Sequence, residues 1–233
     1  QLPNALAIVN PNQPDCQFAS KNLAGVGVAF YLLLAVRSLM RQQGWFEQNN
    51  IDEPNLAEFL DIVALGTIAD LVLLDKNNRI FVEQGLKRIR AGRCRPGIKA
   101  ILASAQRKIE NIRASDMGFA IGPRLNAAGR LDDMSLGIEC LLTDDFNRAM
   151  DIATELDAFN RDRRQIEHAM QGEALALLER MDTSPAEGYG VCLYHPEWHQ
   201  GVIGILASRI KERLHRPVIA FARGEGGDIK GSA

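Results

Sequence analysis

The stretch from Phe146 to Met181 most constrains the fold, because it contains no proline and only one glycine. Asp144 or Asp145 can cap its start, so the pattern predicts one continuous helix. At about 1.5 Å per residue, roughly 36 residues make a rod of about 54 Å. A helix that long is unusual inside one small domain. We therefore expect it to connect two separately folded bodies.

The sequence pattern changes across this helix. Residues 1–145 carry mainly helical patterns, whereas the residues after the linker at 182–190 alternate between strand-like and helix-like runs. The second pattern predicts a βαβ unit. We therefore predict an α/β protein with a largely helical domain over 1–145, a connecting helix over 146–181 and a smaller α/β domain over 182–233.

Two apolar runs near the start of the chain predict further elements. Leu23–Gln43 is apolar nearly all round and predicts a buried helix. Ala5–Val9 predicts a short strand that is already under way where the sequence opens. Because the sequence also stops just after a strand-like run, we expect it to be a piece of a longer protein.

Charge is distributed unevenly, although the formal net charge is only -2. From Arg79 to Arg130 there are twelve Lys or Arg against three Asp or Glu, and elsewhere 15 against 26. This asymmetry predicts a surface that faces a polyanion. The alternative is a set of solvated helix faces.

The cysteines and the hydropathy exclude several protein classes. The four cysteines form no CxxC pair, which argues against a zinc site or a disulfide framework and favours a reducing cytoplasm. The longest apolar stretch, Val26–Val36, is too short to span a bilayer, so we expect no membrane partner.

An arginine-rich segment lies at Gly122–Asp133, where Arg124 and Arg130 stand among Gly, Pro and the adjacent carboxylates Asp132 and Asp133. Guanidinium groups grip phosphate oxygens, and glycine lets the backbone come close. The segment predicts a loop that holds a phosphate or a nucleic-acid backbone. The alternative is a surface loop whose arginines pair with nearby carboxylates, Asp116 among them.

Asp70 follows the apolar run from Ile62 to Ala69. A carboxylate in such surroundings must be paired, protonated or bound to metal, and hard divalent cations favour carboxylate oxygen. The alternative is a helix N-cap or a buried pair with an arginine. No companion cluster with metal-ligand spacing lies near it in the sequence.

His199 and Ser232 are two further candidates. His199 precedes a predicted helix, and the N-terminus of a helix favours anions. Ser232, with Gly231, can present a hydroxyl and backbone N–H groups to an anion. The alternative for His199 is a local capping or packing role. His195 and His199 have the spacing of a helical zinc pair, but Pro196 between them argues against a helix there.

Five segments of the sequence carry recognisable motifs, namely Leu23–Ala29, Ala64–Asp70, Gly122–Leu131, Trp198–Arg209 and Lys230–Ser232. Taken together and in this order, they resemble the RecJ-type single-strand-specific exonucleases of the DHH phosphoesterase superfamily. One departure is Leu73, where the family usually has proline before leucine.

The resemblance implies the C-terminal part of a catalytic DHH domain, the connecting helix and the start of a DHH-associated domain, with DNA in the cleft between the bodies. It implies two divalent ions, Mn²⁺ or Mg²⁺, that activate water for phosphodiester hydrolysis. Asp70 matches the family's last metal-binding, catalytic aspartate. The motifs with Asp-x-Asp and Asp-His-His should lie upstream of Gln1.

The same resemblance assigns nucleic-acid contacts. It places Arg124, Asn126 and Arg130 near the 5′-terminal phosphate and the adjacent backbone, and His199 and Ser232 on the face of the associated domain that meets nucleic acid. The family's arginine after Gly-Ser-x would fall beyond Ala233, so the resemblance implies a shortened phosphate pocket. Because the fragment holds one metal ligand of a two-metal centre, we expect it to be inactive alone.

The implied activity is 5′→3′ degradation of single-stranded DNA in repair and recombination, in cooperation with a helicase and single-strand-binding protein. Two alternatives stay open at this point. One is a DHH-family hydrolase of short oligonucleotides or cyclic dinucleotides, and the other is a non-catalytic nucleic-acid-binding scaffold on the same fold.

Overall fold

The computed structural model describes residues 3–131, 133–181, 189–224 and 226–233. These residues are mostly helical with one three-stranded sheet, which confirms the predicted class. They form two compact units, which we call unit 1 (Gln1–Pro123 with Glu139–Ala153) and unit 2 (Arg124–Ile138 with Thr154–Ala233). The domain boundaries at 145 and 181 stay a prediction.

The helices and strands alternate only in the last part of the chain. Short 3₁₀ turns at Leu56–Phe59 and Ile109–Asn111 and a π-helix at Met117–Ile121 join the α-helices. The elements are α1 Gly25–Gln42, α2 Trp45–Gln48, α3 Leu60–Ala69, α4 Lys76–Arg90, α5 Pro96–Ser104, α6 Ala114–Asp116, α7 Gly122–Leu131, α8 Ser135–Leu142, α9 Phe146–Arg180, β1 Val191–Tyr194, α10 Ile203–Leu214, β2 Val218–Arg223 and β3 Ile229–Ser232.

The long predicted helix is confirmed as α9, a single helix of 35 residues. Asp145 caps it, because its side chain accepts a hydrogen bond from the N–H of Asn147 at 2.8 Å. Its residues are divided between the two units after Ala153. One continuous helix therefore supplies packing faces to both cores.

In unit 1, α1 is buried along one face only. Phe30 of α1 packs edge-on against Phe81 of α4, with ring centroids 5.4 Å apart. The prediction of a buried helix was wrong for the second apolar face of α1, because within the described residues nothing covers that face. The exposed side chains of that face are Leu32, Leu33, Val36 and Leu39.

A buried ion pair joins α3 to the turn before α5. Asp61 is 0% exposed, and its carboxylate accepts hydrogen bonds from the backbone N–H of Arg95 at 2.8 Å and from the Arg95 guanidinium at 2.5 Å. The guanidinium also lies over the Phe59 ring, 5.2 Å from its centroid. The pair thus satisfies a charge that would otherwise be costly in the core.

The strand predicted at Ala5–Val9 was wrong, since these residues form no strand and are largely exposed. A strand needs a neighbouring strand for its hydrogen bonds, and the described part of unit 1 supplies none. The predicted βαβ unit is confirmed in unit 2, where β1 pairs with β2 in parallel around α10 and β3 joins β2 antiparallel. The buried positions alternate along β1, with Val191 and Leu193 inside.

No helix among the described residues is long and apolar enough to cross a membrane.

Asp75 fixes the start of α4. Its carboxylate accepts hydrogen bonds from the hydroxyl of Ser20 at 2.5 Å and from the backbone N–H groups of Asn77 and Asn78 at 3.0 and 3.1 Å. The bond from Ser20 is the largest of the causes that lower the pKa of Asp75 below its ordinary value. The ionised carboxylate therefore stabilises the folded state.

We expect Asp75→Ala to lower the free energy of unfolding by about 1 kcal/mol at neutral pH, the usual cost of losing an N-cap. Because the pKa of Asp75 is lower in the folded state, its contribution is complete above the unfolded-state pKa of about 3.9 and is lost as the pH falls through the folded-state pKa. Urea unfolding across that range measures the difference. Ser20→Ala keeps the cap, so it should lower the free energy of unfolding by less than Asp75→Ala does. If the effect of Asp75→Ala did not shrink in acid, that result would contradict the lowered pKa of Asp75.

Candidate functional site

The arginine-rich segment folds as helix α7, so the prediction of a loop was wrong. Pro123 lies in the first turn, where a backbone N–H has no helical partner and proline is tolerated. Ala127 and Ala128 are fully buried and anchor one side of the helix. Asp132 lies outside the described residues. Asp133 accepts hydrogen bonds from the N–H and hydroxyl of Ser135, which lower its pKa and begin α8.

Arg124 is held by an acid on α9. Its Nη2 lies 2.7 Å from Oδ1 of Asp157, and the two side chains are only 12% and 17% exposed. An arginine does pair with a carboxylate here, as the alternative reading of the segment proposed, but the acid is distant in sequence. Asn126, on the same helix, is exposed. Phosphate contacts by Arg124 and Asn126 stay predictions.

Arg130 and His199 meet at the turn before α10. Nη1 of Arg130 donates to the carbonyl oxygen of Gly201 at 3.0 Å, and the N–H of Gly201 donates to Nδ1 of His199 at 3.1 Å. The carbonyl oxygen of His199 accepts from the N–H groups of Val202 and Ile203 at 2.9 and 3.3 Å. The structure thus brings two of the predicted residues together through one glycine.

Ser232 lies at the same end of α10. A β-carbon on Gly204, in the first turn of that helix, would lie 2.8 Å from Oγ of Ser232. The N-terminus of α10 carries the partial positive charge of a helix dipole. One end of α10 in unit 2 therefore gathers a guanidinium, an imidazole and a hydroxyl, all of which can donate hydrogen bonds to an anion.

Asp70 is exposed at the C-terminal end of α3 in unit 1, and so it is not the buried charge that its neighbours in the sequence predicted. The C-terminus of a helix carries partial negative charge, which favours a cation beside the carboxylate. Among the described residues, no group of three His, Cys, Asp or Glu side chains could hold a metal ion. Asp70 therefore offers one ligand that suits a divalent ion, and a complete metal centre needs further ligands.

Ion pairs moderate the predicted basic surface between Arg79 and Arg130. Several of its cations have acidic partners, so its field is weaker than its count of charges indicates. These pairs are Lys87 with Glu83, Arg95 with Asp61, Arg107 with Asp116 and Arg124 with Asp157.

The cysteines take no part in these arrangements. All four thiols are free. Burial raises the pKa of Cys94 and of Cys140 to about 11, so neither is a thiolate near neutral pH.

Comparison with known proteins connects these residues to a family. Residues 187–233 match the DHHA1 domain model. Over 99% of its length the chain is 62% identical to the single-stranded-DNA-specific exonuclease RecJ of Salmonella typhimurium and 63% identical to RecJ of Escherichia coli. The chain is thus similar to RecJ exonucleases over nearly its whole length.

Solved structures of RecJ proteins are similar to this chain in fold. A crystal structure of RecJ from Thermus thermophilus in complex with Mg²⁺ matches 91% of the chain at 35% identity with a TM-score of 0.72, and one in complex with Mn²⁺ matches it equally well. The chain spans 40% of the length of the two RecJ sequences and 30% of that first crystal structure's chain. The resemblance drawn from the motifs is thereby confirmed.

Two residues of these arrangements were missed in the sequence, namely Asp157 and Gly201. Asp157 is one of several acids on a long charged helix, and nothing near it in the sequence marks it as the partner of Arg124. Gly201 lies inside a family motif, but it follows Arg130 by 71 positions in the sequence, and no local pattern shows their contact.

Arg124 and Arg161 offer a matched test, because both contact Asp157. We expect Arg124→Ala to lower the free energy of unfolding by about 2 kcal/mol, since it leaves a largely buried carboxylate without its closest partner. Arg161 lies 3.5 Å away with a side chain 64% exposed, so Arg161→Ala should cost less than about 0.5 kcal/mol. Denaturant unfolding compares them, and equal losses would contradict a dominant role for Arg124.

Proposed function

We propose that the protein carrying this chain is a metal-dependent 5′→3′ exonuclease that hydrolyses phosphodiester bonds of single-stranded DNA, with a role in repair and recombination. The observation that carries the proposal is the convergence of Arg130, His199 and Ser232 at one end of α10. Their donors suit a phosphate group, and the relatives that match the chain are named as single-stranded-DNA-specific exonucleases.

In this proposal, unit 2 supplies the binding of the strand end. Arg130 and His199 hold phosphate oxygens at the N-terminus of α10, with the hydroxyl of Ser232 beside them. Arg124 and Asn126 of α7 contact the adjacent backbone. Contacts with phosphates carry little sequence information, so this binding supports degradation of any single strand.

Unit 1 contributes Asp70 to the binding of two divalent ions, Mg²⁺ or Mn²⁺, together with ligands outside the described residues. Bound ions of this kind lower the pKa of water and stabilise charge on phosphoryl oxygens. The exposed carboxylate at the end of α3 fits that role, since it combines hard oxygen ligands with the negative end of a helix dipole. The Mg²⁺ and Mn²⁺ complexes of the Thermus thermophilus proteins support these two metals.

The proposed location and partners follow from the cysteines and the family. The four free thiols suit a reducing cytoplasm. A helicase that supplies single strands and a single-strand-binding protein are proposed as partners on the strength of the family alone.

Asp70→Ala in the protein that carries this chain should lower the rate of cleavage of a 5′-phosphorylated single strand by more than about a hundredfold, since it removes a direct metal ligand. The dissociation constant for the same strand should change little. Glu83→Ala is the control, because Glu83 is an exposed acid of unit 1 that pairs with Lys87. If Asp70→Ala cleaved the strand at the parental rate, Asp70 would not be a ligand of a catalytic metal ion.

Arg130→Ala should weaken the binding of 5′-phosphorylated strands and lower the salt dependence. For one lost phosphate contact with a single strand, the slope of log K against log salt falls by about 0.7. Binding titrations at several salt concentrations measure it. Arg209→Ala serves as the control, since Arg209 is exposed and paired with Glu167 and Glu212. An unchanged slope for Arg130→Ala would exclude the phosphate contact.

A further inference from the structure

Gly201 occupies the contact between the end of α7 and the turn before α10. It accepts a hydrogen bond from Arg130 through its carbonyl oxygen and donates one to His199 through its N–H. Both partners are proposed phosphate-binding residues, but Gly201 itself has no side chain to offer a ligand. Its contribution must therefore come from its position.

The position has no room for a side chain. A β-carbon on residue 201 would overlap the carbonyl oxygen of Arg130 and would lie 3.1 Å from the Arg130 carbonyl carbon. Both atoms belong to the backbone, so no rotamer change can relieve the overlap. The φ angle of Gly201 is outside the left-handed region, so the requirement here is space and not an unusual backbone conformation.

The same glycine determines which nitrogen of His199 carries a proton. Nδ1 of His199 accepts the N–H of Gly201 at 3.1 Å, and a ring nitrogen that accepts a hydrogen bond cannot also hold a proton. Neutral His199 is therefore protonated on Nε2. An Nε2–H group donates to an anionic oxygen even when the ring has no net charge.

We propose that Gly201 is a positioning residue that holds the Arg130 guanidinium and the Nε2–H tautomer of His199 ready for one phosphate group. The bond from Arg130 uses Nη1, and the fork of a guanidinium carries five N–H donors in all. The choice of phosphate as the ligand rests on the proposed function. The tautomer of His199 and the close approach of the Gly201 and Arg130 backbones do not rest on the proposed function.

The first experiment needs no DNA and no variant. Nitrogen NMR of the neutral His199 ring, in the protein that carries this chain, should show a proton on Nε2 and none on Nδ1. A neutral ring protonated on Nδ1 would overturn the proposal.

The second experiment compares Gly201→Ala with Gly172→Ala, which replaces a glycine of α9 that has nothing within 4 Å of the added carbon. Gly201→Ala should give a mixture of His199 tautomers and should reduce the preference for 5′-phosphorylated over 5′-hydroxyl strands by about tenfold, the equivalent of one charge-assisted hydrogen bond. Gly172→Ala should leave both unchanged. Equal behaviour of the two variants would overturn the proposal.

His199→Asn covers the case in which Gly201→Ala does not fold. The amide oxygen of asparagine can accept the N–H of residue 201, as Asn side chains do two residues along the chain, but the outward Nε2–H donor is lost. We expect a folded protein with the same loss of preference for the 5′-phosphate, and full preference would overturn the role of that donor. If the unaltered protein binds no 5′-phosphorylated strand, the proposed function and the phosphate ligand fail, and the tautomer measurement alone decides the positioning role.

Discussion

The arrangement of unit 2 depends on one close approach of two backbones. The carbonyl group of Arg130, near the end of α7, lies where a side chain of residue 201 would be. Only glycine permits this contact. Through it a helix with two arginines and the N-terminus of α10 become neighbours, and the donors of Arg130, His199 and Ser232 share one surface.

Unit 1 depends on a different constraint, because it holds a charged side chain inside an apolar core. Asp61 is buried and survives there because Arg95 satisfies it with both backbone and side-chain N–H groups. Asp70, nine positions later, is exposed at the end of the same helix. Two carboxylates on one apolar helix thus have opposite environments, and only the exposed one is available to a metal ion.

The division of chemistry between the units follows from these placements. The proposed metal binding by Asp70 belongs to unit 1, whereas unit 2 carries the proposed binding of the strand end. Arg124 forms an ion pair with Asp157, which is a structural role. Its contact with phosphate is the proposed second role. That pairing stiffens the guanidinium, and a stiff guanidinium loses less entropy when it binds a phosphate.

The sequence by itself determined the long helix, the βαβ unit and the family, because periodicity, capping and short motifs are local properties of the chain. It also named the candidate residues Asp70, Arg130, His199 and Ser232. Only the tertiary structure decided that the arginine segment is a helix, that α1 leaves an apolar face exposed and that Asp61, not Asp70, is the buried acid. It alone paired Arg124 with Asp157 and Arg130 with Gly201. The physical reason is that burial and ion pairing depend on which distant segments meet, and no local pattern records the partner.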